Sequence, residues 1–317
     1  MTQDIVMPSF GRDKILYISQ FIIPANKLGV ALHNKNVLNL FHGLNDNARR
    51  NLTKILDRLN RFADRSTKHL SEVYNEEEMH EYAYYAKFVN EIKILGTICE
   101  YKQFKLPCNN FEASVFLYQH GVNTLKTLNN IDEKAIIDVG GFIADSVLVF
   151  RDLCPVNSIY SFEPNNENYK IACNTLKINN LSGGGGVFIE NFALGAAEGE
   201  GRISATADAA ARILNENSVQ GQYTKIDTLD NYVTTHNIKV GLIKVDVEGY
   251  EQNFLRGALE TIKTQKPILL LSIYHNYDDF YKIKPIIEDL NLGYKFNFFK
   301  GIDDRICADI MLLCEVY

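Results

Sequence analysis

The chain has no run of roughly 18 apolar residues, the length a helix needs to cross a bilayer. The apolar stretch Ile15–Ile23 is short and is interrupted by Ser19 and Gln20. It also lacks a basic start and a small-residue cleavage site, which argues against a signal peptide. Positive charge is not in excess. Over 317 residues, 33 Lys and Arg stand against 39 Asp and Glu, a net of −6, with a pI near 5.7. The overall basic footprint of a nucleic-acid binder is therefore missing. The cysteines (Cys99, Cys108, Cys154, Cys173, Cys307, Cys314) contain no C-x-x-C spacing. That disfavours a disulfide framework or a zinc site and makes the reducing cytoplasm the expected location. The dinucleotide fingerprint G-x-G-x-x-G is absent, and no Lys-Ser/Thr follows Gly183–Gly186, so that run is a connection rather than a phosphate loop. What remains is an ordinary globular composition, 46% hydrophobic and 23% charged, long enough for one large domain or two smaller ones.

The two parts of the chain differ in pattern. Residues 1–125 read as mostly helical. Leu52, Ile55, Leu56, Leu59 and Phe62 recur at helical spacing. A second helix is predicted to start at Asn75 as its cap, with Glu76, Glu77 and Glu78 in the first turn, where the dipole favours negative charge. Met79, Tyr82, Tyr85, Phe88, Val89 and Ile92 would form its packing face. From about Ala135, short apolar runs alternate with helical stretches. Strands are predicted at 135–139, 158–162, 187–192, 240–245 and 268–274, and helices at 143–152, 165–180, 249–264 and 278–290. That alternation predicts an α/β fold with a parallel sheet covered on both faces. A terminal pair of strands, about 293–299 and 308–316, would form a hairpin at the sheet's end.

Four motifs sit at the carboxyl ends of these strands, the edge where open α/β sheets bind ligands. Asp138-Val139-Gly140-Gly141 leads through Asp145 and Ser146 into a helix, a turn where glycine admits close backbone approach and free N–H groups face a ligand. Asp138 suits a ligand bearing an ammonium group better than a pyrophosphate. Glu163, at the tip of the second strand, is placed to accept hydrogen bonds from both hydroxyls of a ribose. In the stretch Leu242 to Glu251, strand alternation puts Lys244 and Asp246 on one face, and Glu248 either caps the next helix or touches ligand. His275 closes the following strand, where a near-neutral imidazole could remove a proton from a hydroxyl. His33, His42, His69, His80, His120 and His236 show no metal spacing, and no full metal-ligand set is visible.

Together these stretches resemble the FkbM-type family of S-adenosylmethionine-dependent methyltransferases. The resemblance rests on IIDVGGFIADS (136–146), IYSFEPNNENYKIACNTLKIN (159–179), ALG (193–195), TLD (228–230) and, most specifically, LIKVDVEGYEQNFLRGA (242–258). LLLSIYHNYDDF (269–280) and GYKF (293–296) are similar to one bacterial branch. The resemblance covers about 130–317 and leaves 1–125 as a variable extension, expected to serve as a lid, a dimer seam of a homo-oligomer, or acceptor recognition. It implies the class I methyltransferase fold, a Rossmann-like seven-stranded sheet with one antiparallel strand, in a domain spanning 126–317. It implies S-adenosylmethionine as cofactor and O-methylation of a small-molecule or glycan acceptor. The segment Asp138, Gly140, Gly141, Asp145 and Ser146 would hold the methionine part, Glu163 the ribose, and Asn191 and Phe192 the adenine. Asp246 would lie beside the methyl, with His275 or Asp246 as the base and Lys244 or Glu248 orienting the acceptor. Two departures stand out: Ala144 occupies a usual glycine position, and Ser272 stands where the fifth strand often carries an acid. The rival readings are a nicotinamide-dependent oxidoreductase, which the missing fingerprint opposes, and a binding protein that kept the fold without catalysis.

Overall fold

The two apolar runs 135–139 and 240–245 form the centre of a seven-stranded sheet, where every residue of both strands is buried. Strands covered on both faces have no need to alternate, which is why these read as unbroken apolar runs. A computed structural model describes residues 35–64, 69–107, 110–203 and 221–317. The stretch Ile15–Ile23, His33 and Cys108 lie outside the described residues.

The first described segment is helical: α1 (Lys35–Phe41), α2 (Asp46–Ala63), α3 (Leu70–Val73) and α4 (Glu76–Glu91). As predicted, Leu52, Ile55, Leu56, Leu59 and Phe62 are all buried. Asn75 caps α4 by accepting from Glu78 N, and the Glu78 carboxylate returns to Asn75 N, a full capping box. On the expected face of α4, Tyr82 and Phe88 are buried but Val89 is 45% exposed. The mostly helical reading of 1–125 missed a small antiparallel sheet, β1 (Lys93–Leu95), β2 (Ile98–Tyr101) and β3 (Phe104–Leu106). A short helix, α5 (Ala113–Phe116), follows.

The large sheet then begins. Its elements are β4 (Ala135–Val139), α6 (Asp145–Leu153), β5 (Ile159–Phe162), α7 (Asn166–Ile178), β6 (Val187–Glu190) and, after an excursion, β10 (Val240–Val245). The excursion holds β7 (Ala193–Leu194), β8 (Gly199–Ile203), β9 (Gln222–Asp227) and α8 (Leu229–Thr235). It forms a second small sheet in the order β7-β9-β8. After β10 come α9 (Glu251–Arg256), α10 (Leu259–Gln265), β11 (Ile268–Ser272), α11 (Tyr277–Glu288), β12 (Lys295–Phe299) and β13 (Met311–Glu315). The order across the large sheet is β12-β13-β11-β10-β4-β5-β6. Only β13 runs antiparallel to its neighbours. The expected seven strands and class I architecture are therefore present. The helix predicted at 249–264 is split into α9 and α10 by Gly257 and Ala258. A Cβ on Gly257 would meet the Gly195 carbonyl oxygen at 1.9 Å, so the chain there is pressed against a loop.

One hydrophobic cluster joins the N-terminal helices to the sheet: Leu52, Leu59 and Tyr74 share it with Ile243, Leu271 and Phe298. Polar contacts reinforce this. A buried Arg58–Glu78 pair at 2.7 Å ties α2 to α4. Tyr74 Oη donates to Asp303 O at 2.7 Å, fastening α3 to the loop between β12 and β13. None of the described helices is long and apolar enough to cross a membrane.

Candidate active site

The carboxyl ends of β4, β5, β10 and β11 meet at one edge, and the turn after β4 sets how closely they approach. Gly140 N and Gly141 N both donate to Phe162 O, at 3.1 and 2.9 Å. Gly140 has φ +82, and a Cβ on it would lie 1.8 Å from the Asp246 carbonyl oxygen. No side chain fits there. Ala144 takes φ 63 although it is not glycine, and Phe142 takes φ 44. Such left-handed residues store strain, and they cluster at sites where the surrounding structure holds them. A Gly140→Ala change should cost at least the ~1–3 kcal/mol of a forced left-handed residue. It should also push the tips of β4 and β10 apart. Chemical denaturation would measure the loss; stability equal to wild type would mean that the approach is not needed.

Asp138 and Lys244, both expected to face ligands, pair with each other, and Lys244 also lines the second of the clefts described below. Lys244 Nζ lies 3.1 Å from Asp138 Oδ1, with side-chain exposures of 4% and 0%. It also donates to Gly140 O at 2.9 Å. Ser161 Oγ donates to Asp138 Oδ2 at 2.7 Å. This pair braces the glycine turn from below. Burial opposes the Lys244 charge, but Asp138, Asp246 and Asp145 together hold its pKa above the ordinary value.

Glu163 is buried, yet it lines the cleft. Its carboxylate accepts from Phe142 N and Asn165 N, each at 2.8 Å. Burial pushes its pKa up to about 7, against the pull of those N–H groups. Asn191 and Phe192 do not line the cleft. Asn191 Nδ2 donates to Glu163 O at 2.9 Å, and the Phe192 ring turns onto Phe162 and Tyr232. Strand β6 ends at Glu190, and Ala193 and Leu194 of β7 supply the lining instead.

The acid groups after β10 surround His275. Its Nδ1 lies 2.8 Å from Glu251 Oε1, and its Nε2 lies 3.3 Å from Asp246 Oδ1 and 3.4 Å from Glu248 Oε1. Burial works against charging the ring, but Glu251, Glu248 and Asp246 raise its pKa well above the ordinary value. With Glu251 on Nδ1, Nε2 is the ring nitrogen that faces Asp246 and Glu248. Asp246, the other candidate base, lies on the wall of both clefts. Burial raises its pKa, opposed by His275 and Lys244, and Tyr274 Oη lies 3.5 Å from its Oδ1. Glu248 takes φ 55 in the tight turn before Gly249. Glu251 was not singled out from the sequence. Its place in the first turn of α9 reads as a dipole-favoured acid, and only the fold brings it to His275.

Two clefts share this edge. One, about 540 Å³ including space open to solvent, is lined by Gly140, Phe142, Glu163, Leu194, Asp246 and Glu248 among others. The other, about 490 Å³ on the same measure, is lined by Glu112, His120, Asp145, Ser146, Tyr274 and Arg305 among others. Gly140, Phe142, Asp246 and Glu248 belong to both. In the second cleft Ser146 Oγ and His120 Nε2 are 2.9 Å apart. Burial drives His120 down to about 3 and Asp145 up to about 7. Arg305 pairs with Glu112 at 2.8 Å, so residues before β4 and after β12 close this side together. Glu112, His120 and Arg305 carry no motif, and only packing reveals them.

The family model described as Methyltransferase FkbM domain matches residues 135–296. Among solved structures, a methyltransferase FkbM from Methylobacillus flagellatus KT superposes with a TM-score of 0.55 at 16% identity, over 88% of this chain and 57% of that one. This chain thus spans little more than half the length of that relative, and the likeness is one of fold. Lower in similarity of shape are a putative caffeoyl-CoA O-methyltransferase from Staphylococcus aureus (TM-score 0.36, 13% identity, 77% and 94% covered) and a putative rRNA methylase from Clostridium thermocellum (0.41, 9%, 65% and 96%). No curated protein matches the chain.

Proposed function

With residues 135–296 matching it over half of the chain, the protein belongs to the FkbM methyltransferase domain family, and from that premise we propose that it moves the methyl group of S-adenosylmethionine to a hydroxyl oxygen of a sugar, a surface glycan or a secondary metabolite. The observation that carries this reading is the pair of clefts meeting at Gly140, Phe142, Asp246 and Glu248. A displacement reaction needs donor and acceptor to meet in line at one point with water excluded. Two cavities sharing one acidic wall provide such a point.

The residues present suit this cofactor. Phe142, Leu194 and Ile203 offer apolar lining for an adenine, and Glu163 offers a carboxylate to a ribose. Asp246 and Glu248 put negative charge where a sulfonium would lie. The bound cofactor supplies an activated methyl. The chain's own work is to hold it, to align the acceptor, and to accept the hydroxyl proton at an Asp246 oxygen. Lys244 and Asp138 act beneath the site by fixing the turn at Gly140.

Calorimetric titration with S-adenosylhomocysteine, with NAD as control, tests the donor half. Binding of the first alone, lost in Glu163→Ala, is the expected result; binding of NAD instead would overturn the reading. Incorporation of labelled methyl into neutral hydroxyl acceptors tests the other half. A pH dependence follows from Glu163. Only the ionised carboxylate accepts from both ribose hydroxyls, and its pKa is pushed up to about 7. Affinity should therefore rise from pH 6 to 8, weakening roughly tenfold per pH unit well below 7. In Glu163→Gln this slope should vanish. A flat profile in the unaltered protein would remove Glu163 from the ribose.

A further inference from the structure

His275 has a direction that the methyl-transfer reading leaves unused. Its side chain is only 6% exposed. Glu251, fully buried, accepts from Val247 N at 3.0 Å and lies 2.8 Å from Nδ1. That fixes Nδ1 as the donor nitrogen and aims Nε2 at Asp246 Oδ1 and Glu248 Oε1, at 3.3 and 3.4 Å. Nε2 has no hydrogen-bond partner there. Set between two carboxylate oxygens, that nitrogen occupies a position that calls for a positive charge. Neighbouring ligands of an ion with bonds of about 2.0–2.2 Å lie about 3.0–3.5 Å apart in tetrahedral or octahedral arrangements. The two spacings from Nε2 match that separation. Asp246, Glu251 and His275 each offer a ligand atom within 4.8 Å of the others, a group that leaves out Glu248, which must turn to complete the proposed set.

We propose that His275 Nε2, Asp246 and Glu248 bind a divalent transition-metal ion, with Glu251 holding Nδ1 so that Nε2 points at the ion. A carboxylate on the far nitrogen of a ligating histidine fixes its tautomer and orientation. One imidazole and two carboxylates suit Mn²⁺, Fe²⁺ or Zn²⁺ better than Mg²⁺ or Ca²⁺. Glu248, at 27% side-chain exposure, is the arm with room to swing onto an ion. Asp246 and Glu248 line both clefts, so the ion would stand beside an arriving acceptor oxygen and make its hydroxyl more acidic. That use of the ion rests on the proposed methyl transfer; the site itself does not.

The test is to strip the full-length protein with EDTA and titrate it with MnCl₂, reading free Mn²⁺ by electron paramagnetic resonance. S-adenosylhomocysteine binding is measured on the same samples. One Mn²⁺ per chain is expected, at least tenfold weaker in Glu251→Gln and lost in His275→Gln and Glu248→Gln. If His275→Gln fails to fold, Glu248→Gln, at a partly exposed position, decides. No stoichiometric uptake of Mn²⁺ or Zn²⁺ by protein that still binds S-adenosylhomocysteine would overturn the proposal. So would equal uptake by the unaltered protein and the variants. Metal uptake without S-adenosylhomocysteine binding would instead overturn the methyl-donor reading and leave the cation site standing.

Discussion

Lys244→Met should destabilise the protein by about 3–5 kcal/mol, the usual cost of removing one partner from a buried ion pair. Methionine fills a similar volume, so the loss comes from charge rather than from a cavity. The ammonium now lies 3.1 Å from Asp138 Oδ1 and donates to Gly140 O. Its removal leaves the Asp138 carboxylate, 0% exposed, with Ser161 as its remaining polar contact. The Gly140 carbonyl loses its donor at the same time. Urea denaturation of the single variant against Lys244→Met/Asp138→Leu separates the two effects. The double variant should recover much of the loss, because a buried pair replaced whole by apolar groups is often neutral. A single variant within about 1 kcal/mol of the unaltered protein would mean that the pair does not brace the turn. In either background the binding of S-adenosylhomocysteine should follow the turn, not the charge.

Asp246→Asn should lower kcat by about 10²–10⁴-fold, the range for loss of a general base, with a much smaller change in the KM for the methyl donor. The amide keeps the shape and the reach to Tyr274 Oη, 3.5 Å from Oδ1. It removes the proposed proton acceptor and one of the three carboxylates around His275. The split between kcat and KM is the informative part. Equal losses in both would point to donor binding as the residue's main task. A kcat within tenfold of the unaltered enzyme would shift the base to another group of the clefts, with Asp145 the first to examine because its pKa is pushed up to about 7.

The large sheet was legible because buried parallel strands leave unbroken apolar runs; 135–139 and 240–245 coincide with β4 and β10. The terminal antiparallel pair was legible from two different signals, the fully buried run of β13 and the alternation of β12 at the edge. The strand expected at 187–192 overran, because the chain leaves the large sheet after Glu190 and Ala193–Leu194 pair with β9. Apolar character continues across that change of partner, so composition carries no mark of it. The small sheet of β1 to β3 was missed because strands of three or four residues hold at most two turns of the two-residue strand alternation, too little to form a pattern. In the site, Asp246, Glu248, Glu163 and His275 were found from their place at strand ends. Their partners were not. Asp138 reads as a ligand-facing acid until Lys244, 106 positions later, is seen to neutralise it. Glu251, Glu112 and Arg305 reach the site through helix direction and loop packing, which no local pattern encodes.

The second cleft draws its wall from two parts of the chain. Glu112, Ser114, Val115, His120 and Arg305 all fall outside residues 135–296, the segment that carries the family's likeness. Every residue lining the first cleft falls inside it. Mutations in the outer segments can therefore reshape one cavity while the other keeps its form. Under the proposed methyl transfer, a change at Glu112, Ser114, Val115, His120 or Arg305 would then alter the choice of acceptor and leave donor binding as it is.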